Sequence, residues 1–440
     1  MKATLARIVS DHGMVGVLLL LCAFFSVVTR TEQTPTGDEA ARQVLAEIGR
    51  LPGAKPNVLI AVGDQPDDAA FVAALEPGLV AAGARVLAVA RGGPSDARAA
   101  LARLAEAGEP LNVIACTRLS ASWLVFEDLE TDFPALGNPR RITPGTYEWP
   151  NFLKTANLLN IANQIAVIAI VAIGMTMVII TAGIDLSVGS LIAFSAVVAA
   201  RIIRDHAGGT EASALGMTLA CVGAVAACGG IGAFSGVMIT RFAIPPFIVT
   251  LAMMLVASGL AYLLAEGQSV YQIPDSFVWL GRGSDYFNLP NAVILMLALY
   301  LVAHVLMSRT RLGRHLYAVG GNREAARLSG VPVERVLMFA YIASGALAGL
   351  GGIIMASQLK SGSPTYGNMY ELYVIAAVVV GGTSLSGGEG RMFGTLTGAF
   401  TIAVIQNGMN LTNVESFTQK VVLGLVILGA VLLDRLRHRA

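Results

Sequence analysis

The stretch Gly183-Ile184-Asp185-Leu186-Ser187-Val188-Gly189-Ser190 sets a carboxylate, two hydroxyls and three glycines between long apolar runs. Ile165 to Ala182 before it and Leu191 to Ala200 after it carry no charge. A carboxylate at membrane depth costs at least ~2.5–3.5 kcal/mol on insertion scales, so an ionisable group there marks a candidate functional site. The glycines let helix ends turn or pack closely. Three readings stay open for Asp185 and Ser187. They line or gate a solute path, they hold a hinge by hydrogen bonding to nearby backbone, or they form a short polar turn with Asp185 facing water.

Other polar residues interrupt apolar runs: Asn157, Asn160, Asn163, Gln164, Glu371, Gln406 and Asn407. Asn160, Asn163 and Gln164 fall at i, i+3 and i+4 and share one helix face. Hydroxylated solutes need such donors and acceptors. Interhelical hydrogen bonds, worth ~0.6 kcal/mol each, are the competing use. No catalytic constellation emerges. His12, His206, His304, His315 and His438 have no nucleophile or ligand partner close in sequence, and Cys22, Cys116, Cys221 and Cys228 show no metal-ligand spacing. Neither a metal site nor a disulfide framework is expected.

The elements that must position these groups are membrane helices. Of 440 residues 55% are hydrophobic and 13% charged, and the mean hydropathy is +0.67. Soluble domains carry about 25% charged residues. A net charge of +1 leaves no footprint for nucleic acid. Apolar runs predict ten spans, near 13–29, 157–181, 184–204, 214–240, 245–265, 291–308, 335–357, 371–385, 392–409 and 418–434. Arginines cluster in the 309–335 loop and at Arg435, Arg437 and Arg439, and Lys2 and Arg7 open the chain. Positively charged loops stay inside, so an even number of spans places both termini in the cytoplasm.

That topology exports residues 30–150, the one long hydrophilic block. Strand-like runs at 57–63, 85–90 and 111–116 alternate with helical patterns at 67–82 and 95–107, closed by Gly83 and Gly108. The expected fold class is therefore an all-α polytopic membrane protein of about ten helices with a small α/β (βαβαβ) insert on the exported side. About 60 residues of such a unit give a marginal core.

Several motifs organise the membrane part. Gly232/Gly236, Gly345/Gly349 and Gly394/Gly398 are small residues at four-residue spacing, which lets helices approach closely in lipid. Residues 182–190 and 381–389 form a short internal repeat, and transporters place solute paths between repeats. Leu385-Ser386-Gly387-Gly388-Glu389 looks like an ATPase signature, yet no Gly-Lys pair and hence no P-loop exists in the chain. In the 309–335 loop, Gly320-Gly321-Asn322 precedes Arg323-Glu324-Ala325-Ala326-Arg327-Leu328-Ser329, and Gly330 follows. Asn322 is a good N-cap and Gly330 a typical stop. A capped surface helix there reads either as a lever for a partner or as a solvated connector.

From Asn157-Leu158-Leu159-Asn160-Ile161 through Gly183 to Ser190, Thr310-Arg311-Leu312-Gly313-Arg314, Ala318 to Gly330, Ile375 to Ser386 and Asn407 to Leu411, the chain resembles the membrane permeases of bacterial ABC sugar importers of the ribose/xylose/galactose type. The resemblance covers residues 151–437. It implies ATP-driven import of a monosaccharide across the inner membrane by alternating access. It also implies a second permease copy, a cytoplasmic ABC ATPase and a periplasmic sugar-binding protein as partners. ATP and Mg would sit on the ATPase, with no cofactor on this chain. Glu324-Ala325-Ala326 with Gly330 resembles the element that docks such permeases to the ATPase, so Gly320 to Ala326 and Gly330 are the expected coupling residues. Asn160, Asn163, Gln164, Asp185, Ser187, Glu371 and Asn407 are the expected path or gating residues. The family's first outer loop is short, so the 30–150 block is a departure. It resembles part of a sugar-binding domain through Asp67-Asp68-Ala69-Ala70-Phe71 and Gly78 to Gly83. A membrane-anchored sugar sensor using this block as its ligand module is the alternative.

Overall fold

The computed structural model describes residues 2–51 and 55–437, with side chains from residue 13 to residue 432. His12, His438 and the charges of Lys2, Arg7, Arg435, Arg437 and Arg439 lie outside the described side chains. The chain forms two compact units, residues 30–149 and residues 1–29 with 150–440.

The chain opens with helix α1 (Lys2–Val28) and enters the smaller unit. Its elements are β1 (Arg30–Gln33), α2 (Gly37–Ile48), β2 (Asn57–Val62), α3 (Pro66–Ala81), β3 (Arg85–Arg91), α4 (Pro94–Glu106) and β4 (Val113–Cys116). Two short helices, α5 (Arg118–Ala121) and α6 (Leu129–Asp132), precede β5 (Arg140–Ile142) and β6 (Tyr147–Pro150). Pro66 and Pro94 start α3 and α4, where a missing N–H costs nothing. Asp68 accepts the Gln65 N–H at 3.2 Å and Asp96 the Gly93 N–H at 2.9 Å. Gly83 and Gly108 end these helices at φ +81° and +66°, conformations only glycine adopts cheaply.

The strands form a parallel sheet in the order β3-β2-β4-β5. Successive β2 side chains point to opposite faces. Val58, Ile60 and Val62 pack with Val44, Phe71 and Leu75, while Leu59 and Ala61 pack with Leu101, Phe126 and Leu136. The unit is larger than the expected 60-residue βαβαβ. Helix α2, strand β5 and the 118–136 segment complete it, giving apolar clusters on both faces of the sheet.

The larger unit continues with α7 (Thr155–Ile180), α8 (Val188–His206), α9 (Ala214–Arg241), α10 (Pro246–Leu264), α11 (Trp279–Arg282) and α12 (Asn291–Arg309). It ends with α13 (Arg311–Gly321), α14 (Arg323–Leu328), α15 (Val333–Leu359), α16 (Tyr370–Val380), α17 (Met392–Leu411) and α18 (Ser416–Arg437). Among the described residues, five helices (α7, α9, α10, α12 and α15) are long and apolar enough to cross a membrane. The most apolar stretch of α7 is 89% buried and those of α9 and α10 only 22% and 28%, so α7 is central and the others peripheral.

Glycines set the closest crossings. A Cβ at Gly174 would collide with the Ser344 backbone, at Gly232 with the Tyr341 carbonyl, at Gly345 with the Cys228 carbonyl, and at Gly398 with the Ala377 carbonyl. These contacts join α7 and α9 to α15, and α16 to α17.

The expected span at 371–385 is corrected. Helix α16 has 11 residues, about 16 Å at 1.5 Å per residue, which is half a bilayer core. Residues 361–369 precede it without helix. Gly362 sits on Ala196 and Gly367 on Gly189 and Ile192, so this segment runs back along α8 before α16 begins. Non-helical backbone at such depth is tolerated only when protein covers it.

Candidate functional site

The water-facing reading of Asp185 is overturned, since only 2% of the residue is exposed. Ser187 donates its N–H at 3.0 Å and its O–H at 2.6 Å to Asp185 Oδ1. Ser344 on α15 donates its O–H to Oδ2 at 2.8 Å. A buried acceptor group must find such donors or pay its desolvation cost. The carboxylate therefore closes the 181–187 turn on itself and ties it to α15. A Cβ at Gly183 would meet the Tyr341 hydroxyl, and one at Gly189 the Glu371 carboxylate. Glu371 thus lies over the start of α8.

The helices that enter the two copies of the internal repeat end alike, one residue out of register with the sequence match. Gly183 N–H bonds Val178 O at 3.0 Å, and Thr383 N–H bonds Val378 O at 3.1 Å. The residues before them, Ala182 and Gly382, have φ of 59° and 87°. Each helix stops in the same left-handed turn, which satisfies a terminal carbonyl.

These two turns meet the 309–335 segment. Thr310 caps α13 by accepting the Gly313 N–H at 3.2 Å, and Asn322 caps α14 by accepting the Ala325 N–H at 2.9 Å. Leu316 and Val319 bury the inner face of α13. A Cβ at Gly320 would collide with the Ile180 carbonyl at the end of α7. Gly388 N–H donates to that same carbonyl at 2.9 Å, and Tyr317 O–H donates to Gly390 O at 2.7 Å. Gly321 has open space, and Gly330 follows the end of α14 at φ +82°. On α14, Arg323, Glu324, Ala325 and Arg327 are exposed, and Leu328 is 88% exposed. Ala326 is buried.

The amides gather at the other end of α7. Asn157 and Asn407 exchange two hydrogen bonds, of 3.0 and 2.9 Å. Asn163 donates to Gly281 O at 3.1 Å, and its buried Oδ1 has no partner among the described residues. Gln164 donates to Asn160 at 3.3 Å. Gln164 and Asn407 line a cavity of about 370 Å³ together with Gln358, Tyr370, Gln406, Asn410 and Gln419. Asn160, Asn163, Asp185, Ser187 and Glu371 do not line it. Gln358, Asn410 and Gln419 are lining residues that do not stand out in the sequence. Asn410 carried a signal, since it follows Gln406 and Asn407 at helical i+4 and i+3 spacing.

Residues 157–431 match the model of the family "Branched-chain amino acid transport system / permease component". The chain belongs to this permease family. It is a permease component, hence a transport part and not an enzyme, and an integral membrane protein. The permease is 45% identical over 289 residues to the ribose import permease protein of Escherichia coli strain K12, covering 65% of this chain and 87% of the relative. The ribose import permease protein of Bacillus subtilis strain 168 is 44% identical over 287 residues, 65% of this chain and 87% of its own length. The D-allose transport system permease protein of Escherichia coli strain K12 is 36% identical over 285 residues, 65% of this chain and 85% of its own length. No solved structure matches the permease.

Proposed function

We propose that this permease is the translocation subunit of an ATP-driven importer that carries a ribose-like monosaccharide across the inner membrane by alternating access. The observation that carries the reading is Gly320 seated on the last carbonyl of α7, with Gly388 bonded to that carbonyl from the other repeat. A push on α13 and α14 reaches both helix-ending turns without slack, because packed backbone transmits displacement rather than absorbing it. The resemblance to ribose and allose permeases supports the choice of cargo.

In this reading the chain crosses ten times with both termini in the cytoplasm, and the segment 360–380 makes the eighth crossing as a non-helical run followed by α16. The 309–335 segment then faces the cytoplasm and offers Leu328 to an ABC ATPase, which holds the ATP and Mg. The amide-lined end of α7 faces a periplasmic sugar-binding protein. A second permease copy completes the path, and the 30–149 unit lies in the periplasm.

The test is reconstitution with a candidate ATPase and binding protein in proteoliposomes, following entry of labelled monosaccharides on ATP addition. ATP-dependent uptake of a pentose or a related sugar is expected. Absence of uptake for every monosaccharide tried, with the ATPase bound and active, would overturn the reading. Sugar-stimulated signalling without translocation would replace it with the sensor.

A further inference from the structure

We infer that the amide-lined cavity is a binding site for one neutral polyhydroxylated molecule of monosaccharide size, held by Gln358, Gln406, Asn410 and Gln419 as well as Gln164. The inference deepens the import reading by giving its cargo a resting place inside a single permease chain.

The lining selects the ligand class. At about 370 Å³ the cavity is at the small end of the ~300–1,000 Å³ range of small-molecule sites, enough for a monosaccharide. Among the described residues no Asp, Glu, Lys, Arg or His lines it, so nothing there compensates the desolvation of a phosphate, carboxylate or ammonium. Amides from α7, α15, α17 and α18 converge on it.

The hydrogen-bond inventory favours hydroxyls. Gln164 commits one amide N–H to Asn160 at 3.3 Å and Gln358 one to Asn163 O at 3.1 Å, each keeping a second, while Gln419 gives both of its own to Asn410 Oδ1 and Val414 O at 2.8 Å. Each amide keeps its carbonyl oxygen as an acceptor. Asn410 keeps its nitrogen as a donor, and half-buried Gln406 makes no side-chain hydrogen bond to the described protein. A hydroxyl both donates and accepts, so a ring of hydroxyls satisfies both sets at once. The Tyr370 ring and aliphatic walls then cover the C–H surface of the same molecule.

The test uses Gln406→Cys and, in case that variant folds poorly, Gln419→Cys, each in the full chain assembled with its partners in lipid nanodiscs. The rate of modification by a methanethiosulfonate reagent is read with D-ribose or D-ribose 5-phosphate present. At a ligand concentration ~10 times Kd, occupancy slows modification about tenfold; this is expected for D-ribose and not for its phosphate. Failure of D-ribose, D-xylose, L-arabinose and D-galactose alike to slow either variant would overturn the site, and equal protection by the phosphate would overturn its selection for neutral ligands. Uptake without protection sinks the cavity and leaves import standing. Protection in a complex that moves no sugar leaves the cavity standing and sinks import.

Discussion

Asp185 spends its charge on its own turn. Both carboxylate oxygens accept from serines, and neither reaches a cavity-lining residue. Replacement by Ala leaves the Ser187 N–H and the Ser187 and Ser344 hydroxyls without acceptors in a buried place, at about 1–3 kcal/mol per orphaned group. Asp185→Ala is therefore expected to lower the apparent Tm of the purified permease in nanodiscs by several degrees, and Asp185→Asn, which keeps an acceptor for Ser187, by less. An Asp185→Ala permease that melts like the parent but transports nothing would return the residue to the solute path. Sequence exposed the cost of this carboxylate but not its partners. Ser344 lies 159 positions away, and only the packing of α15 on the turn reveals the pair.

At the scale of elements, the decisive contrast is between two neighbouring glycines. A Cβ at Gly320 collides with the backbone carbonyl of Ile180, whereas one at Gly321 meets nothing within 4 Å. Gly320→Ala is expected to cut ATP-driven uptake by about 2- to 30-fold, the span of a 0.5–2 kcal/mol coupling loss, while Gly321→Ala stays near the parent. Equal uptake by the two variants would mean that motion does not pass through this contact. Leu328→Asp places a charge at an exposed apolar position and is expected to weaken co-purification of the ATPase; unchanged recovery would remove Leu328 from that interface. Asn322 and Gly330 announced α14 through their capping chemistry. Helix α13 is masked in the sequence because Gly313, Arg314, His315, Gly320 and Gly321 dilute its pattern, although Leu312, Leu316 and Val319 stand at i, i+4 and i+7. Helix α16 is shorter than its sequence suggests for the opposite reason. Its apolar run continues into Gly381 and Gly382, where positive φ at Gly382 stops the helix.

For the whole molecule, the question is what the 30–149 unit adds. Its apolar clusters line both faces of its own sheet, and its end strands β1 and β6 pair with each other. The chain thus leaves the unit beside where it entered. Asn151 N–H bonds Thr29 O at 2.9 Å, and Phe152 N–H bonds the Thr29 hydroxyl at 3.1 Å. Phe25 packs on Phe152 and against Gly408, so the helical unit fixes both ends of the junction with its own residues. Two consequences follow. Residues 30–149 produced alone are expected to unfold cooperatively. They should also protect Cys116, whose burial pushes the thiol up to about 12, so that it resists maleimide at pH 8 until denaturant is added; rapid labelling in buffer would show that the unit does not fold by itself. Replacement of residues 35–145 by a short turn is expected to leave membrane insertion and ATPase binding intact, because the Thr29–Phe152 contacts remain. If the unit docks or partly replaces the sugar-binding protein, the shortened permease needs a higher concentration of that protein for half-maximal uptake. Identical dependence on the binding protein with and without residues 35–145 would sink that role, and loss of insertion would show that the two units do not fold independently.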